Sequence, residues 1–150
     1  NLLFAIALWL FYGLISFAVV GKVMFSAQGT MYLANSFVFT LCALTMAFLI
    51  SSIFNNKEAV NGIVNVVALG SAFLCGAFIP VEWLPDGVLA VGRIFPAYWY
   101  IQTNEYLKTL ETVSVSGLKP VFLNMLAMVL YGVFYIIVAN IVSAKKRVVA

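Results

Sequence analysis

The chain has 150 residues, 65% of them hydrophobic and 9% charged, with a formal net charge of +3 and a mean hydropathy of +1.10. A soluble domain carries about 25% charged residues, so this composition excludes a water-facing globule and identifies a membrane domain. The basic excess comes largely from the C-terminal tail and suits lipid headgroups; it forms no clustered surface of the kind nucleic acid requires.

Residues 1–21, 23–56, 59–81 and 120–144 contain no charged side chain. Each run is long enough for a helix across a hydrocarbon core of about 30 Å, which takes about 20 residues. The runs are continuous, whereas barrel strands alternate in segments of about 10 residues. Helices remain as the way to satisfy the backbone in lipid. The predicted fold is therefore an all-α polytopic membrane protein, a single transmembrane domain over 1–150 with four transmembrane helices and a proline-broken outer re-entrant or interfacial helical hairpin. The chain begins at Asn1, and the first run lacks the basic leader of a signal peptide; the sequence reads as a portion of a longer protein.

The first predicted span, 2–20, is almost pure hydrocarbon and aromatic, closed by Gly21-Lys22. After a connection at 22–30 comes the second, 31–54, which carries Asn35, Ser36, Thr40, Thr45, Ser51 and Ser52. Part of its surface is expected to face other helices or an aqueous path. In the third span, 62–80, Ala68, Ala72, Gly76 and Pro80 recur every four residues and so share one helical face. Ala68, Ala72 and Gly76 form a candidate helix-packing face, since small side chains let a neighbouring helix approach.

The next segment, 81–112, follows from the stretch GAFIPVEWLPDGVLAVGRIFPAYWY at 76–100. Pro80 ends the apolar run, Pro85 can open a short helix through Phe95, and Pro96 imposes another break before a helical stretch from Ala97 to about Leu110. Thr112–Gly117 reads as a loop. The segment is too broken for one span and too apolar for a free loop, so two short helices are expected to dip into, or lie along, the outer interface. Trp83, Tyr98, Trp99 and Tyr100 suit the headgroup level. Glu82 and Arg93 are the charges nearest the hydrocarbon: a gate or headgroup site on one reading, and on the other side chains that simply reach water, Arg93 by snorkelling. Pro80, Glu82, Pro85, Arg93, Pro96, Tyr98, Trp99 and Tyr100 make up a candidate outer gate. Glu105, Lys108 and Glu111 have the spacing of a solvent face with i,i+3 pairing.

The last span, 120–142, is opened by Pro120 where its missing N–H costs nothing. Lys145, Lys146 and Arg147 follow it and place the C-terminus in the cytoplasm. Alternation then puts 55–61 inside and 22–30 and 81–119 outside. There is no GxxxxGK[ST] or GxGxxG motif and no histidine, so nucleotide-binding loops and histidine-dependent catalysis are excluded. Cys42 and Cys75 fall within apolar spans and read as packing residues. No catalytic, cofactor-binding or metal site is expected.

The run from Gly76 to Leu107 resembles the signature region of ABC-2-type transporter permeases, the membrane subunits of ABC exporters. The matching residues are Gly76, Phe78, Pro80, Glu82, Leu84, Pro85, Pro96 and Tyr98 to Tyr100, and Asn35 to Phe54 resembles the preceding span. The resemblance implies the last four of six spans and an export path in a bacterial cytoplasmic membrane. It implies a homo- or heterodimer with a second permease subunit, and cytoplasmic ABC ATPase subunits that bind ATP and Mg. It also implies that the proline-broken segment caps the outer end of the path. The alternatives are a non-transporting assembly or scaffold protein and an ATPase-independent transporter.

Overall fold

A computed structural model describes residues 2–110, 114 and 117–149, with side chains described as far as Lys146. Its helices are α1 (Leu2–Val20), α2 (Ala27–Ile53), α3 (Lys57–Cys75), α4 (Asp86–Gly92), α5 (Pro96–Thr109) and α6 (Lys119–Val149), with 3₁₀ turns at Gly21–Phe25 and Val81–Trp83. Among the described residues there is no strand. Four helical segments, at Leu2–Phe25, Ala27–Ile53, Lys57–Cys75 and Lys119–Lys146, are long and apolar enough to cross a membrane. The protein is an all-α, four-span bundle.

Local chemistry sets the helix ends. Ser26 caps α2 by accepting from the Gly29 amide at 3.1 Å, so this helix starts four residues before the expected 31. Asn56 caps α3, accepting from Glu58 N at 2.8 Å, as short polar side chains do for orphan first-turn amides. α3 stops at Cys75 rather than running to Pro80. Gly76 adopts the left-handed conformation, φ +93°, and the Ala77 amide reaches back to Ala72 O at 2.9 Å, the closure by which glycine ends a helix. Gly76 and Pro80 thus do not extend the helical face of Ala68 and Ala72. Ala68 is exposed and Ala72 half-buried.

The main core lies between α2, α5 and α6, where Cys42, Leu107, Val121, Met125 and Met128 are buried. The α2–α6 contact is the most extensive, followed by α5 with α6 and with α2. By contrast, α1 has no buried residue and touches the bundle through α2. Trp9 makes that attachment, donating to Ser36 Oγ at 2.9 Å with its ring edge-on to Phe37 at 5.0 Å.

The proline-rich segment folds into the bundle. α5 runs antiparallel to α2: Leu107 pairs with Gln28 near the start of α2, while Tyr100 stacks on Phe39 at 4.5 Å. Pro96 and Ala97 line a small cleft with Phe39, Ala43 and Met46. Phe39 lies 12 residues into α2, about 18 Å along its axis at 1.5 Å per residue, so α5 begins level with the middle of that span. The α6 helix gives the same depth, because Tyr131 Oη donates to Arg93 O at 3.2 Å and Tyr131 sits midway along Lys119–Lys146. The α4–α5 hairpin is re-entrant. It enters and leaves at the end of the bundle where α2 and α6 start, here called the hairpin end; the opposite, tail end carries 54–56 and the close of α6.

Candidate functional site

Three features position the hairpin. The first is a polar ladder between α2 and α5. Asn35 Nδ2 donates to Tyr100 O at 3.0 Å and to Asn104 Oδ1 at 2.9 Å, Tyr32 Oη donates to Asn104 O at 3.2 Å, and Gln28 Nε2 donates to Leu107 O. Positions 28, 32 and 35 share one face of α2, and 100, 104 and 107 share one face of α5, each set at the i, i+4, i+7 spacing. Asn35 is wholly buried. Sequence reading noted Asn35 but missed Gln28, Tyr32 and Asn104; the recurrence of 28, 32 and 35 on one face was the available signal.

The other polar residues of α2 are turned on their own helix. Thr40 donates to Ser36 O at 2.8 Å, Thr45 to Cys42 O at 2.7 Å, Ser51 to Phe48 O at 2.9 Å and Ser52 to Leu49 O at 2.7 Å. Hydroxyls satisfied this way leave no unpaired donor in lipid.

The second feature holds α4 against α3. A Cβ added at Gly92 would lie 2.8 Å from Leu74 O, so the close approach requires glycine. Cys75 Sγ donates weakly to Gly92 O at 3.6 Å. The third is the start of α5, where Pro96 occupies the first helical turn and is buried with Ala97. Its ring supplies helical φ and has no N–H to strand in an apolar setting.

The candidate gate residues therefore divide by depth. Pro80, Glu82, Trp83 and Pro85 are exposed on the connection above the hairpin. Glu82 lines a cleft of about 440 Å³ with Glu105 and Lys108. Lys108 donates to Glu105 at 2.6 Å, and this hydrogen bond raises its pKa above the ordinary lysine value. Glu111 and most of the Thr112–Gly117 loop lie outside the described residues. Arg93 and Pro96 are at the hairpin tip. Tyr98, Trp99 and Tyr100 follow on α5, deeper than the headgroup level expected of them: Tyr100 stacks on Phe39, and Trp99 Nε1 is buried without a hydrogen-bond partner. Trp83, 76% exposed, is the aromatic left at the periphery. Glu82 and Arg93 form no ion pair; the Arg93 guanidinium lies 5.9 Å from the Tyr98 ring centre.

Two clefts flank α2. One, of about 560 Å³, is lined by Trp9, Tyr12, Ser16, Ser36 and Thr40. The other, of about 620 Å³ toward the tail end, is lined by Leu2, Thr45, Ser51, Asn61 and Asn140. At that end Lys146 Nζ donates to Ile53 O and to Asn55 Oδ1, both at 2.8 Å. A lysine there also complements the negative end of α2. Among the described residues, no group of three or more His, Cys, Asp or Glu could hold a metal ion.

Four spans, a re-entrant hairpin between the third and fourth, and clefts along one central helix define a multi-pass membrane protein. The family model described as ABC-2 type transporter matches residues 1–105. The chain belongs to that permease family. No curated protein and no solved structure matches it.

Proposed function

We propose that the chain is the permease subunit of an ATP-driven exporter, forming the substrate path across a bacterial cytoplasmic membrane with a second permease subunit. ATP and Mg would bind to partner cytoplasmic ATPase subunits, and the Lys145–Arg147 end of α6 would face them in the cytoplasm. Family membership over residues 1–105 carries this reading, and the depth of the hairpin supports a gating role for it.

The ladder ties α5 to α2, so those two helices would move together. α4 buries only Gly92 and has far less to lose on displacement. An ATPase pair that closes against the tail end shifts the population between two arrangements only through contacts that differ between them. The clamp of Lys146 on Ile53 and Asn55 would pass such a movement into α2 and α6 together. Pro80, Glu82, Pro85, Arg93, Pro96 and Tyr98 to Tyr100 would then change position relative to the third span and open the outer end.

The test is co-purification with an ATPase subunit, followed by reconstitution and measurement of ATP-dependent efflux of candidate amphiphiles from vesicles. Efflux that needs ATP supports the export permease. Equal flux without nucleotide would make it an ATPase-independent transporter, and stable assembly without flux would make it a scaffold.

A further inference from the structure

Arg93 combines depth with isolation. Its carbonyl is held by Tyr131 from the middle of α6, and the preceding Gly92 is seated on the end of α3. The side chain is exposed. Its guanidinium rests on the Tyr98 face at 5.9 Å, and among the described residues no carboxylate pairs with it. Glu82, Glu105 and Lys108 are grouped at the hairpin end, well above the tip. A cation at such depth is costly in an apolar chain and marks a functional position. A ring face offsets part of that cost while leaving the five N–H donors of the guanidinium unused.

The residue that holds the Arg93 carbonyl, Tyr131, also belongs to an apolar surface. Ala127, Leu130, Tyr131 and Phe134 line an open cleft of about 400 Å³ on α6. Tyr131 joins the two features: its ring lines the cleft and its hydroxyl holds the Arg93 carbonyl. We propose that Arg93 and this cleft bind a transported amphiphile with a phosphate-bearing head, the head on the guanidinium and the hydrocarbon tail along Leu130 and Phe134. The planar fork of arginine matches phosphate oxygens in a bidentate way that a neutral headgroup cannot satisfy. The head belongs to cargo rather than to a resident phospholipid because Arg93 is level with the middle of α2 and α6, whereas the headgroups of a settled leaflet lie at its surface. The word "transported" rests on the permease reading; binding at Arg93 does not.

Binding is measured without ATP, using the full-length protein in phosphatidylcholine nanodiscs and radiolabelled dodecyl phosphate, with empty nanodiscs subtracted. Arg93→Gln should weaken binding about tenfold, the loss expected of a charge-assisted hydrogen bond, and Arg93→Lys should lose less. Ala127→Trp, which fills the cleft and keeps the charge, should also weaken it. Lys108→Gln should bind like the unaltered protein, since that cation already has Glu105. Equal affinity of the unaltered protein and Arg93→Gln overturns the site. Retained phosphatidylglycerol that falls in Arg93→Gln while dodecyl phosphate binding is unchanged makes this a resident-lipid contact and also overturns it. Arg93-dependent binding supports the site even where no ATP-driven flux is found, an outcome that would retire the permease reading alone.

Discussion

The side-chain amide of Asn35 donates to the side-chain oxygen of Asn104 at 2.9 Å and, from the same nitrogen, to the carbonyl of Tyr100 at 3.0 Å. The pair joins α2 to α5 in the interior of an otherwise apolar bundle. Polar contacts between membrane helices contribute about 0.6 to 2 kcal/mol each, and the penalty of leaving a buried partner unpaired is about 1–3 kcal/mol. Asn35→Leu should therefore lower the unfolding free energy in detergent by about 1–3 kcal/mol. The double variant with Asn104→Leu should cost less than the sum of the two single changes. Strictly additive losses in a double-mutant cycle would remove this contact from the account of how the hairpin is held.

Gly76 sets a separate expectation. Its φ of +93° disfavours any side chain, and an added Cβ would approach Val81 Cγ2 to 2.6 Å. Gly76→Ala should destabilise by about 1–2 kcal/mol from the backbone alone, and Gly76→Leu by more. Ala68→Leu on the exposed face of α3 should leave the isolated subunit's stability nearly unchanged. A large effect of Ala68→Leu on subunit pairing, with stability intact, would show that this face meets another chain. Equal tolerance at 76 and 68 in thermal unfolding would contradict the left-handed cap.

These two sites also mark what was legible in the sequence. Charge-free runs longer than a bilayer's thickness gave four spans directly, because the cost of a charge in hydrocarbon leaves few alternatives. The proline positions gave the starts of α4 and α5 for a similar reason. The end of α3 was missed because a period of four through Gly76 and Pro80 looks the same whether glycine packs in a helix or closes it. Hairpin depth was illegible because it depends on α2–α5 contacts across 65 to 79 residues of sequence. The aromatics at 98–100 fit a headgroup belt by composition alone. The stacking of Tyr100 on Phe39 is a tertiary result.

The proposed orientation, with the basic end of α6 in the cytoplasm, has a direct test. Cysteines placed at Ser114 and at exposed Lys145, after the buried Cys42 and Cys75 are replaced, should respond differently to an impermeant thiol reagent on intact cells. Ser114→Cys should label and Lys145→Cys should label only after permeabilisation. The opposite pattern would turn the hairpin toward the cytoplasm and end its role as an outer gate.

The exposed ion pair of Glu105 and Lys108 should matter little to stability, since surface pairs contribute about 0–1 kcal/mol. Its pH dependence has a definite sign. The hydrogen bond to Glu105 raises the lysine pKa, so the stabilisation is fully present below the unfolded lysine value of 10.5 and is lost as pH rises through the raised folded value. The difference in unfolding midpoint between the unaltered protein and Lys108→Met should thus stay constant from pH 6 to pH 9. A difference that grows or vanishes within that interval would point to another titrating group.

The prolines separate a gate from a plug. Pro85 stands exposed just before α4, and Pro96 is buried in the first turn of α5 against Phe39 and Ala43. Pro96→Ala removes the ring from that contact and adds an N–H at a depth where no water can bond it, so stability should fall by about 1–3 kcal/mol. Pro85→Ala, at the surface, should cost no more than about 0.5 kcal/mol. If the hairpin moves during transport, both substitutions should slow efflux per correctly inserted molecule, because each frees the backbone at one end of α4 or α5 to continue a helix. Pro96→Ala should slow it more, since it alters the joint on which α5 meets the middle of α2. ATP hydrolysis by the partner should continue in both variants, leaving the defect in access rather than assembly. Transport normalised to inserted protein, with ATPase activity followed in parallel, decides the matter: unchanged rates for both variants would leave the hairpin a fixed cap.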